Sequence, residues 1–193
     1  AVAANRLSKS PVKFFGAVGT DHFGSLVETE LTNLGLATCG IRRDSRSPIG
    51  LALIHVDGDG NNSITVSGGA NLSWTSSQIS ELTFDESTVG LCQLETPLEV
   101  TLEVMKKISK VGGVTILDPA PMPKNDLDHV FTVVDILTPN QHEAERFLEQ
   151  KICCSEDAIQ GAIALVKRGD FKAVILTMGK QGVAYSEDGV QGE

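Results

Sequence analysis

Apolar residues along the chain follow two rhythms that take turns. Short β-rich runs, "VKFFGAV", "TVGLCQL", "GVTILD", "DILTP" and "KAVILTMG", alternate with segments whose apolar positions recur every three to four residues. Those segments are "FGSLVETELTNLG", "PLEVTLEVMKKISKVGG", "LDHVFTVV", "NQHEAERFLEQ" and "EDAIQGAIALVKRG". Compact apolar runs bury as strands and runs of period 3.6 as amphipathic helices. Their alternation predicts βαβ units, an α/β fold with a mostly parallel sheet covered by helices. Within the second of these segments Leu98, Leu102, Met105 and Ile108 fall on one helical stripe, while Glu99, Glu103, Lys106, Lys107 and Lys110 take largely other faces. That stripe is read as core.

"IGLALIHVDGDGNNSITVSGGAN" breaks the alternation, with two strands around a polar turn and no helix between them. It predicts a small β-hairpin lid over residues 49–70 of a single domain spanning 1–193. Asp57, Asp59, Asn61 and Ser63 alternate as they would in a calcium loop. Asn62 stands where that loop needs glycine, however, and Gly68 where it needs a carboxylate.

With 193 residues, 41% hydrophobic and 21% charged, the chain has the composition of a soluble globular protein. A formal charge of −9, with only the short clusters "IRRD" and "VKRG", argues against nucleic acid as a partner. No apolar run reaches the roughly 18 residues of a membrane span. The four cysteines, Cys39, Cys92, Cys153 and Cys154, show no C-x-x-C spacing, and no signal peptide opens the chain. Reduced thiols and an intracellular location, cytoplasmic or organellar (a plastid included) and not secreted, are the expectation.

Candidate chemistry gathers where strands hand over to helices, because open α/β sheets bind ligands at the carboxyl ends of their strands. In "LTPNQHEAE", Asn140 and Glu143 have the spacing of a helix capping box. The same amide and carboxylate could instead face phosphate and a divalent cation. Glu95 in "CQLETPLE" is either a ligand-facing carboxylate or a surface residue before a helix started by Pro97. "TMGKQG", from Thr177 to Gly182, is either an ordinary glycine turn or a loop that brings backbone close to a nucleotide. Asp118 in "LDPAP" reads as a turn-forming residue. His22, His55, His129 and His142 lack any ligand spacing.

Five stretches in order, "AVAANRL", "GAVGTDHFGSLVETELTNLGL", "CQLETPLE", "LDPAP" with "DILTPNQHEAE", and "LTMGKQGV", resemble the ribokinase branch of the phosphofructokinase-B-type carbohydrate kinases. The resemblance implies a ribokinase-like three-layer fold and ATP-dependent phosphorylation of D-ribose to ribose 5-phosphate. It makes Glu95 a sugar ligand, and it sets Asn140, Thr177, Gly179, Lys180, Gln181 and Gly182 around ATP. Glu143 would act on Mg2+, and K+ would serve the intact protein. The unpaired look of "IGLALIHV" and "NSITVSGG" predicts that the hairpin covers the sugar site and, in the intact protein, offers an edge for a homodimer. Another sugar or nucleoside kinase, or a non-catalytic nucleotide- or sugar-binding homologue, is the alternative. The Gly-Ala-Gly-Asp-type motif that carries the family's catalytic base does not occur in these residues, nor does the Gly-Gly-Lys-Gly-type stretch expected before "AVAANRL". The chain is therefore read as partial, incomplete at both ends, and the fragment as inactive.

Overall fold

The computed structural model describes residues 1–60, 62–122, 131–187 and 190–192, arranged as two compact units, Ala1–Thr75 and Ser76–Glu193. His129 with the first half of "LDHVFTVV", and Asn61 of the hairpin turn, lie outside the described residues.

The first unit opens with helix α1 (Val2–Leu7), which buries none of its residues. Strand β1 (Gly16–Gly19) pairs in parallel with β2 (Ile41–Asp44), a strand the sequence pattern did not indicate. Helix α2 (His22–Asn33) joins them, capped by Asp21, whose Oδ1 accepts from the Gly24 N–H at 2.8 Å. The second oxygen of Asp21 accepts from the Ile49 N–H at 2.7 Å, so one carboxylate fixes both a helix start and a distant loop. Gly24 has to be glycine: a Cβ there would sit 2.1 Å from the Gly19 carbonyl oxygen. The expected hairpin forms from β3 (Leu51–Val56) and β4 (Asn62–Ser67), with Ile54 opposite Ile64. Every residue of both strands is exposed.

In the second unit, α3 (Ser76–Ser80) precedes a six-stranded sheet built from β5 (Val89–Cys92), β6 (Val114–Leu117), β7 (Ile136–Leu137), β8 (Ala173–Thr177), β9 (Val183–Glu187) and β10 (Val190–Gly192). Spatial order is β10-β9-β8-β7-β6-β5, with β5 to β8 parallel and β9 and β10 antiparallel. Helices α4 (Leu98–Lys110), α5 (Gln141–Leu148) and α6 (Ser155–Gly169) supply the layer over it. Pro97 is the N-cap of α4, so the helix begins at Leu98, one position after the start expected at Pro97. The stripe read as core behaves so: Leu102, Met105 and Ile108 are buried, and Leu102 and Met105 pack with Leu117, Leu137, Val174 and Leu176 of the sheet. From α5 come Ala144 and Phe147, and from α6 Ala158, Ala162 and Leu165.

All these helices share one face of the sheet. On the other, the register aligns Leu91, Ile116 and Ile136, and Ile175 with Tyr185, and there Leu91 is 60% exposed. The run "TVGLCQL" thus reads as a buried strand but lies at the sheet edge with an open face. Among the described residues, no helix is long and apolar enough to cross a membrane.

Candidate functional site

Parallel strands β5 to β8 deliver their carboxyl ends to one edge of the sheet, and the candidate residues follow those ends. The Thr177 N–H at the end of β8 donates to the Pro139 carbonyl at 3.0 Å, and Thr177 and Asn140 form a parallel bridge. Asn140 and Thr177 are therefore side by side although 37 positions apart in "LTPNQ" and "LTMGK". The capping box is complete. Asn140 Oδ1 accepts from the Glu143 N–H at 3.0 Å, and Glu143 Oε2 accepts from the Asn140 N–H at 2.8 Å.

Glu143 is one of few buried charged side chains, 8% exposed. Burial pushes its carboxyl above the ordinary glutamate range, the Asn140 N–H opposes that, and the nearby charge of Asp118 adds to it. A carboxylate disfavoured in this way gains from a cation beside it. Among the described residues no group of three or more His, Cys, Asp or Glu converges to hold a metal. Glu143, with Asp118 near, is the donor set on this edge that could hold a cation through one or two carboxylates.

Residues Gly179–Gln181 form a single 3-10 turn closed by Met178 N–H donating to Gly182 O at 2.8 Å. Gly179 and Gly182 both have positive φ, 56° and 95°, and no atom lies within 4 Å of where a Cβ would be. The turn is glycine for its backbone conformation, and it leaves that backbone open to a ligand. Thr177, Gly179, Lys180, Gln181 and Gly182 are all exposed.

Glu95 follows β5, two strands from β7 and so about 10 Å along the edge. It is half-buried, and its carboxylate has no hydrogen bond or ion pair among the described residues. Its loop is braced from several sides. Leu94 N–H donates to Ala120 O at 2.9 Å, and the Gln93 amide donates to Asp118 Oδ2 at 3.2 Å. Asp118 Oδ1 also accepts from Ala120 N–H at 3.3 Å, which is the turn role read from "LDPAP".

The structure thus joins Asn140 and Glu143 in one cap, sets Thr177, at the head of the 177–182 loop, beside Asn140, and puts Glu95 on the same edge. Sequence reasoning missed Thr101, a buried hydroxyl on α4 that points out of its helix into the Glu95 loop. The available signal was a threonine adjoining the apolar stripe of a helix, where a β-branched hydroxyl is a poor choice unless it has a partner. His142 is on α5 next to Glu143, but its side chain is exposed and lies 3.9 Å from the Glu145 carboxylate.

Over residues 1–193 the chain matches the family described as pfkB family carbohydrate kinase. It is 34% identical over 192 residues to a ribokinase of Haemophilus influenzae, covering 98% of this chain and 61% of that one. A Schizosaccharomyces pombe ribokinase is also 34% identical, with 96% and 60% covered. The solved structure of Arabidopsis thaliana ribokinase complexed with ribose and ATP superposes with a TM-score of 0.85 at 27% identity, covering 100% of this chain and 64% of that one. The chain spans about 60% of the length of the curated relatives it matches.

Proposed function

Because the chain belongs to the pfkB family of carbohydrate kinases, we propose that these residues are the sugar- and nucleotide-binding portion of an ATP-dependent ribokinase, which transfers the γ-phosphate of ATP to D-ribose. The observation that carries this reading is one sheet edge with a half-buried carboxylate, Glu95, unpaired among the described residues, at one end and a capped helix start beside an open glycine turn at the other.

In this reading Glu95 accepts hydroxyl donors of the sugar, with the strength of charge-assisted bonds. The free N–H groups and positive end of α5 favour phosphate. The Asn140 amide, whose oxygen is spent on the cap, has its N–H groups left for a phosphate oxygen. Thr177 offers a hydroxyl, the turn from Gly179 to Gly182 its backbone, Gln181 an amide and Lys180 a flexible charge. Glu143, with Asp118 near, would hold Mg2+, which when bound neutralises phosphate charge during transfer. The general base and the donors around the moving phosphate come from residues other than these.

Binding measurements on the purified chain with D-ribose, D-fructose, inosine and the non-hydrolysable ATP analogue AMPPNP with Mg2+ test the reading. Ribose is expected to bind most tightly of the three acceptors, with Asn140→Ala weakening only the nucleotide. Tighter binding of inosine would make this a nucleoside kinase instead.

The hairpin also supports pairing with a second copy. Ile54, Val56, Ile64 and Val66 share one of its faces and are 53–65% exposed, an apolar surface that unpaired strands rarely leave open. Sedimentation should show a dimer that the double variant Ile54→Lys/Ile64→Lys abolishes, and a monomer at all concentrations would remove this assignment.

A further inference from the structure

Residues 93 to 96 form a short bridge between the end of β5 and the cap of α4, with Glu95 near its middle. Both flanks of Glu95 converge on one atom. Thr101 Oγ1 lies 2.7 Å from Thr96 Oγ1 and 3.3 Å from the Gln93 carbonyl oxygen. Both contacts are satisfied together when Thr96 donates to Thr101 and Thr101 donates to Gln93. Thr101 is 4% exposed, on the second turn of α4, whose own N–H already donates to Pro97 O at 3.1 Å. Helical threonines commonly turn the hydroxyl back onto their own helix, as Thr29 and Thr32 do in α2. Thr101 instead commits it to the loop before the helix. Among the described residues Glu95 has no hydrogen bond or ion pair, so its direction is set by the chain on either side.

Resting on the ribokinase reading above, we propose that Thr101 is a positioning residue for the sugar site: its buried hydroxyl clamps Gln93 and Thr96 and so aims the Glu95 carboxylate at the sugar hydroxyls. The clamp works with the contact from Leu94 N–H to Ala120 O, which fixes the loop's other side. A carboxylate that must receive two hydroxyls at once tolerates little misdirection, so loosening the loop weakens sugar binding without touching the nucleotide residues two strands away.

The test uses the purified chain with D-ribose and Mg2+–AMPPNP as probes, both followed by NMR titration, alongside amide exchange at Leu94. Four variants are compared: Thr101→Val, Thr101→Ser, Thr96→Val and Glu95→Ala. Thr101→Val removes the hydroxyl at nearly constant volume, Thr101→Ser keeps it, and Thr96→Val breaks the clamp from the half-buried side should the core substitution fail to fold. Thr101→Val and Thr96→Val are each expected to weaken ribose by about 3- to 10-fold and to speed Leu94 exchange. AMPPNP affinity stays unchanged, and Thr101→Ser restores ribose binding to within about twofold. Ribose affinity unchanged in both valine variants, while Glu95→Ala loses it, would overturn the clamp alone. Equal losses of ribose and nucleotide would show a merely structural role and overturn it too. Ribose binding absent from the parent chain, or indifferent to Glu95→Ala, would overturn the ribokinase reading together with the clamp.

Discussion

Glu95 and Glu143 differ in a way their shared residue type hides. Among the described residues one carboxylate is unengaged, and the other is bound into a cap, buried and displaced upward in pKa. In a chain extended to the relatives' full length, Glu95→Ala should chiefly raise the KM for ribose, and Glu143→Gln should chiefly lower Mg2+-dependent turnover. Each loses about 1.5–3 kcal/mol, roughly 10- to 150-fold. Steady-state kinetics with each substrate varied in turn check this, and unchanged constants in both variants would remove the assignment. Asn140 carries a prediction independent of function. Asn140→Ala removes the oxygen that caps α5 and should cost about 1 kcal/mol in thermal unfolding, whereas Asn140→Asp keeps the cap and should cost less than half of that. The Asn-x-x-Glu spacing was legible because capping is local. Its partnership with Thr177 was not, because a parallel bridge joins residues that no sequence window contains.

Among the elements, the short strand β7 contributes only Ile136 and Leu137, and its neighbour Asp135 does much to hold it. Asp135 Oδ2 accepts from the Thr115 N–H at 2.8 Å and the Thr115 hydroxyl at 3.0 Å, and Oδ1 pairs with Lys172 Nζ at 2.7 Å. Burial alone would push this carboxyl up. The Lys172 ammonium and the two Thr115 donors outweigh that and hold it below the usual aspartate range. A depressed folded value means that the contribution is complete above the unfolded value, about pH 4, and fades as pH falls through the lower folded value. Asp135→Asn should therefore cost about 1–3 kcal/mol at pH 7, a gap that narrows at pH 3. Urea unfolding at both pH values measures it, and a gap of equal size at the two would contradict the pairing. Helix α4 shows what periodicity can do, since its stripe marked Leu102, Met105 and Ile108 as core, though Leu98 is half-buried and Val100 and Thr101 are buried outside it. Met105→Ala, at a fully buried position, should cost about 2–5 kcal/mol.

At the scale of the whole molecule, the second unit has one face of its sheet dressed by three helices and the other carrying Leu91, Ile116, Ile136, Ile175 and Tyr185 across the strands. Leu91 and Val89 are 60% and 62% exposed. An apolar face of this kind favours association. The isolated chain should bind a hydrophobic dye and aggregate at high concentration, and Leu91→Lys should relieve both with little change in unfolding midpoint. The same chain should show no ribose-dependent ADP formation, whereas one extended through a Gly-x-Gly-Asp segment should. Lacking a general base typically costs about 10²–10⁴ in rate, and each missing donor to the transferring phosphate about 10²–10³ more. Comparable turnover by the two chains would place the catalytic groups among these residues after all.

The amino-acid sequence by itself determined the alternation of strand and helix, the hairpin, the core stripe of α4 and the capping box, because each rests on contacts within a few positions or on a simple period. Its ordered motifs also pointed to the family that the match over residues 1–193 bears out. Only the tertiary structure decided which strands are edges. It turned "VGLCQL" from a buried run into an edge strand with one open face. It made "IRRD", a charged patch on paper, into strand β2, where Asp44 is 3% exposed and Arg42 lies over Trp74. It also brought Thr101 against Gln93 and Thr96, and Thr177 beside Asn140. Burial and strand pairing depend on what the rest of the chain places alongside, and a window of neighbours along the sequence does not contain that information.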